Sequence, residues 1–172
     1  MELTAQTHDM EQTFDDFVVS MNKTSKKNNV DDINVPQRIE MFNRNIQSLY
    51  KSIDGEWLKK GLESGYIKTG EESISINERQ LGIYNVKAKW IQIGTKRLTL
   101  EPIGTVLVGS DARIDLIYKY KEIMLVLLAG EGKKKKPEWK YIVENGKISF
   151  EPLTKDSFQK LIMDLVYETD RV

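Results

Sequence analysis

At Tyr66 the hydrophobic period of this chain changes from that of a helix to that of a strand, and this switch sets the order of its elements. Before it, Ile39, Phe42, Ile46, Leu49, Ile53 and Trp57 recur at spacings of 3, 4, 3, 4 and 4. That is one apolar seam along a helix of about six turns, with Pro36 in the first turn, where a missing N–H costs nothing. Met41, Tyr50 and Leu58 widen the stripe. Gly55 inside the run costs about 1 kcal/mol relative to Ala and marks a bend, and Gly61 or Gly65 is the expected stop.

After Tyr66 the pattern reads as strands at 73–77, 83–93, 97–101, 105–108, 113–120, 122–129, 139–144 and 147–151. Gly94-Thr95-Lys96 and Gly109-Ser110-Asp111 supply turn chemistry between them. Asn145-Gly146 predicts a two-residue type I′ hairpin, which needs positive φ at both central residues. The run from Ile123 to Ala129 is apolar on both faces and is expected to be a central strand covered by helices. Thr154 then caps a last helix, whose Phe158, Leu161, Ile162, Leu165 and Val166 form a core-facing stripe. The fold class is α+β: a mostly antiparallel sheet of about six to eight strands, flanked by a long N-terminal amphipathic helix and a C-terminal helix.

Residues 1–34 read differently. Phe14, Phe17, Val18 and Met21 suggest a short amphipathic helix, and the polar stretch 22–29 has no period and reads as a linker. The expected organisation is a flexible N-terminal arm over 1–34 and a single α+β domain over 35–172.

Composition removes several chemistries. There are no cysteines, so disulfide frames, thiol catalysis and cysteine zinc sites are absent. The single histidine, His8, lies in the arm, which leaves no histidine base for the domain. Lys+Arg and Asp+Glu are both 26, so no global field draws the chain to nucleic acid or anionic lipid. No apolar run approaches the roughly 20 residues that span a bilayer, so no membrane partner is expected. The first residues lack the basic and apolar regions of a signal peptide, and the expected compartment is the cytoplasm. The Lys- and Asn-rich composition suits a bacterial or phage source.

One catalytic arrangement survives. Asp115 followed by Glu131-Gly132-Lys133 resembles, in order and rough spacing, the acidic–lysine set of PD-(D/E)XK nucleases. The resemblance implies Mg²⁺ held by Asp115 and Glu131, with Lys133 positioning water. Strand geometry opposes it. If the chain turns near Lys119–Lys121, Asp115 faces a residue near Leu125, and Glu131 lies about 20 Å further on at ~3.3 Å per residue. The lysine run Lys133, Lys134, Lys135 and Lys136 reads either as a solvated loop tip or as a basic patch for nucleic acid or a small anionic ligand. Arg113 and Asp115 share one face of a strand and are expected to form an ion pair. No phosphate-binding glycine loop occurs.

The leading expectation is therefore a non-catalytic interaction or regulatory module, an accessory subunit without a cofactor. Its expected partner is another protein or a second copy. The binding surface is expected on Phe14, Phe17, Ile39, Phe42, Ile46, Leu49, Ile53 and Trp57, since the 3–4 spacing over residues 39–53 fits two heptads.

Overall fold

The computed structural model describes residues 13–16, 18, 19, 34–105, 111–130 and 136–171, and the chain divides into two units, Met1–Asn34 and Val35–Val172. In the first unit, residues 14–16, 18 and 19 are helical. A reciprocal cap starts this helix: the Asp16 N–H donates to Thr13 Oγ1 at 3.2 Å, and the Thr13 N–H to Asp16 Oδ2 at 3.3 Å. Phe14, Val18 and Val19 are exposed, and Phe17 lies outside the described residues.

The second unit opens with helix α1 (Val35–Ser52) and continues through a π-helical turn (Ile53–Trp57) into the short helix α2 (Lys59–Ser64). Gly55 was expected to mark a bend, and what forms there is a wide turn in which the Leu58 N–H reaches the Ile53 carbonyl at 2.8 Å. The wider turn keeps Ile53 and Trp57, four residues apart, on the same side. Gly65, left-handed at φ 79°, ends the helical stretch, as only glycine does without strain.

Among the described residues, seven antiparallel strands follow in meander order, β1 (Ile67–Glu78), β2 (Gly82–Ile93), β3 (Lys96–Gly104), β4 (Ala112–Tyr118), β5 (Lys121–Leu128), β6 (Glu138–Glu144) and β7 (Ile148–Pro152). Helix α3 (Lys155–Asp170) closes the unit, and Thr154 Oγ1 caps it by accepting the Ser157 N–H. Among the described residues, no helix is long and apolar enough to cross a membrane.

The α1 seam meets its own sheet. Phe42, Ile46, Leu49 and Ile53 are buried, Phe42 lies edge-on to Tyr84 of β2 at 6.2 Å, and the buried Tyr50 donates its hydroxyl to the Lys87 carbonyl at 2.8 Å. Each such burial is worth about 1.5–3 kcal/mol to the monomer, so these four side chains do not form the expected partner surface. Ile39 and Trp57 stay half-buried, and Met41, expected in the stripe, is exposed.

The strand boundaries depart from the pattern in instructive places. β1 is twelve residues long, in register with β2 from Ile67↔Ile93 to Glu78↔Gly82, because backbone pairing carries it through Lys68, Thr69, Gly70, Glu71 and Glu72. Of the expected strand at 105–108, Thr105 forms a bend and 106–108 lie outside the described residues. β5 lies inside the sheet, between β4 and β6. The link between β6 and β7 has three residues, and only Gly146 has positive φ, so it is not the two-residue type I′ turn.

β2 pairs with β3 only from Lys89 onward, yet Glu78, at the far end of β1, accepts the Thr105 N–H beyond β3 at 2.7 Å. The outer half of the β1–β2 hairpin therefore leaves the edge of β3 and folds back toward its end. At the departure point the alternation breaks, and Ala88 and Lys89 are both buried.

Candidate interaction groove

A concavity lies where the π-turn, α2, the ends of β1 and β2, and α3 meet. It encloses about 760 Å³. Its apolar wall is Trp57, Ile67, Ile93, Ile162 and Met163, and its rim carries Lys59, Lys60 and Lys155 against Glu56 and Glu63. Ile67 and Ile93 are cross-strand partners, so one β1–β2 rung supplies two of the wall residues. Gly61 lets α2 approach that rung: a Cβ there would sit 2.2 Å from Ile67 Cδ1. From the other side α3 contributes Ile162, which is buried, and Met163, 55% exposed at the mouth.

Trp57 is the hinge of this wall. Its indole packs on Phe158 at 5.3 Å with a 45° tilt, and its carbonyl accepts the Gln159 Nε2–H at 2.7 Å. Trp57 also lines a second, smaller groove of about 350 Å³, with Leu49, Trp139 and Leu153 around it. Gln159 gives one N–H to a backbone carbonyl, and the charged side chains that line the groove are Glu56, Lys59, Lys60, Glu63 and Lys155.

Beneath the π-turn lies a buried lysine. Lys89 is 1% exposed, and its Nζ donates to Asp54 Oδ2 at 2.6 Å, while Thr69 Oγ1 donates to Asp54 Oδ1 at 3.0 Å. The Lys89 ammonium also lies 5.3 Å from the centre of the Tyr50 ring. Burial, and then the charge of Glu71, push the Tyr50 hydroxyl far above the ordinary phenol range, so it stays protonated and serves as a donor. The cluster ties the π-turn to β1 and β2 and thereby positions one wall of the groove. It is not itself part of that groove's lining.

Of the nuclease-like set, Asp115 alone lies among the described residues. Asp115, 3% exposed, pairs across strands with Met124, one residue from the expected Leu125. Both of its oxygens are taken by Arg113, at 2.8 Å from Nε and 2.8 Å from Nη2. The expected ion pair is therefore present, and these hydrogen bonds raise the Arg113 pKa above its ordinary value. Each Asp115 oxygen thus accepts one hydrogen bond from the Arg113 guanidinium. Glu131, Lys133, Lys134 and Lys135 lie outside the described residues, and Lys136 is exposed. No group of three or more His, Cys, Asp or Glu able to hold a metal occurs among the described residues.

Of the residues expected to bind a partner, Trp57 alone lines the larger groove. Ile67, Ile93, Gln159, Met163 and the three rim lysines were not singled out from sequence. Met163 carried a legible signal, an apolar residue off the stripe of its own helix. Ile67 and Ile93 did not, because each looks like an ordinary strand terminus. No protein-family model, curated protein or solved structure matches this chain.

Proposed function

We propose that this chain is a non-catalytic protein-interaction module, an accessory subunit of a larger assembly, and that its groove receives an apolar anchor from an acidic segment of the partner. The observation that carries the reading is the groove's composition: an aliphatic and aromatic wall with Met163 open at the mouth, ringed by Lys59, Lys60 and Lys155. Interface energy concentrates in a few anchors that fill well-packed pockets, and complementary charge at the rim speeds and orients their arrival. Glu56 and Glu63 offset part of the lysine charge, and Lys59 already lies 3.8 Å from Glu63. Three lysines against two glutamates leave the rim one positive charge in excess, on the side of Lys60 and Lys155, and that excess favours an acidic flank. A small-molecule site would in addition need convergent polar groups to fix orientation. Here the Gln159 amide gives one of its N–H groups to the Trp57 carbonyl.

Selection of displayed random peptides on the full chain tests the reading. It expects sequences with a large apolar residue beside Asp or Glu, whose affinity falls at least tenfold on Met163→Glu or Lys60→Glu. Both positions are exposed, so neither substitution disturbs the core. Peptides that bind both variants as well as the parent chain, or a selection that returns basic peptides, would overturn it.

A further inference from the structure

The two outer strands of the sheet are finished differently. β1 carries Lys68, Glu71 and Glu72 along its length, charges of the kind that keep an edge in water. β7, Ile148-Ser149-Phe150-Glu151-Pro152, is exposed at every residue, with Ile148 at 66% and Phe150 at 46%.

Its hydrogen bonds show which groups face outward. The Leu153 N–H donates to the Trp139 carbonyl, and the Asn145 N–H donates to the Lys147 carbonyl, both in the β6–β7 register. In an antiparallel pair, hydrogen-bonded and non-hydrogen-bonded positions alternate. Ser149 and Glu151 therefore bond inward to β6, while Ile148, Phe150 and Pro152 direct their backbone groups away. Pro152 has no N–H, and its carbonyl already accepts the Ser157 hydroxyl at 2.9 Å. Among the described residues, what remains on the open edge is the N–H and C=O of Ile148 and of Phe150.

We propose that β7 pairs antiparallel with β7 of a second copy of this chain, about a twofold axis passing through Ser149. In that register Ile148 of each copy stands opposite Phe150 of the other, and the outward groups of both residues close four hydrogen bonds. Lys147 stands opposite Glu151 of the other copy, twice, so the edge is complementary to itself in charge. Pro152 meets Gly146, a turn residue with φ 72°, where no strand partner is required. The apolar row also continues into the sheet, since Phe150 pairs with Ile142 of β6 and the two share one face. The partner is a second copy because this register satisfies both charges and both apolar residues at once. The inference rests on the edge alone and is independent of the groove.

Sedimentation velocity on the full chain over a wide concentration range tests it, with Lys147→Glu, Glu151→Lys, the double exchange and Phe150→Lys. The expected result is a reversible dimer of the parent chain, about tenfold weaker for either single charge reversal and restored by the double exchange. Phe150→Lys, at an exposed position, is expected to be monomeric with unchanged circular dichroism. A parent chain that stays monomeric at its highest soluble concentration overturns the proposal. So does a dimer that the single reversals and Phe150→Lys leave untouched.

Discussion

Removing Asp54 and removing Lys89 break the same ion pair, yet they should cost very different amounts. Lys89 is 1% exposed, whereas the Asp54 side chain is 41% exposed. In Asp54→Ala the ammonium stays buried with no counter-charge. Two unit charges about 4 Å apart interact by about 4 kcal/mol at an effective dielectric near 20, and stranding one partner of a buried pair costs about 3–5 kcal/mol. Thr69 also loses its acceptor, a further ~1 kcal/mol. In Lys89→Met the space is refilled by an unbranched side chain of similar length, and the half-exposed carboxylate is left to water. That variant is expected within ~1.5 kcal/mol of the parent chain. Urea unfolding followed by circular dichroism measures both. Asp54→Ala should fall short of Lys89→Met by ~2 kcal/mol or more. Equal losses would refute the claim that burial of the lysine, and not the pair as such, sets the cost.

Three further outcomes follow from the packing. Thr154→Ala removes the acceptor for the Ser157 N–H and should cost about 1 kcal/mol in the same urea experiment. Gly70→Val should lower stability by about 1–3 kcal/mol and shift the tryptophan emission, because a Cβ at residue 70 would lie 2.3 Å from the Trp90 ring on which Arg97 stacks. Asp170 accepts hydrogen bonds from Lys119 and Lys96, which hold its carboxyl well below the usual carboxylate range. A carboxyl depressed by folding stabilises above its unfolded pKa of about 3.9 and loses that contribution as pH falls through its folded value. Melting temperatures from pH 5 to pH 2 should therefore drop more steeply in the parent chain than in Asp170→Asn, and parallel curves would contradict the assignment.

The class of the fold was legible because burial here follows period. The 3–4 seam of α1 and the Phe158, Ile162 and Leu165 stripe of α3 both face the core, and turn residues separate most of the strands. What escaped the pattern has a common cause, which is pairing between distant residues. β1 extends through a polar stretch because β2 offers a continuous ladder, a property of neither segment alone. Lys89 reads as a surface residue, and only Asp54, thirty-five positions earlier, makes its burial tolerable. The seam itself could not tell its own sheet from a partner, since both present an apolar surface to the same stripe. Tyr84 settles that for Phe42. The groove was the least legible feature, because it is assembled from the unremarkable ends of several elements around a π-turn that Gly55 only hinted at.

The central claim is that the groove between the π-turn and α3 is a protein-docking surface. Methyl and indole NMR during titration with a peptide bearing one large apolar anchor and acidic flanks tests it most directly. The account predicts saturable shifts at the Met163 methyl and the Trp57 indole N–H, with the Met41 methyl unmoved. Shifts confined to residues away from the groove, or none at all with peptides selected on the chain itself, would contradict it.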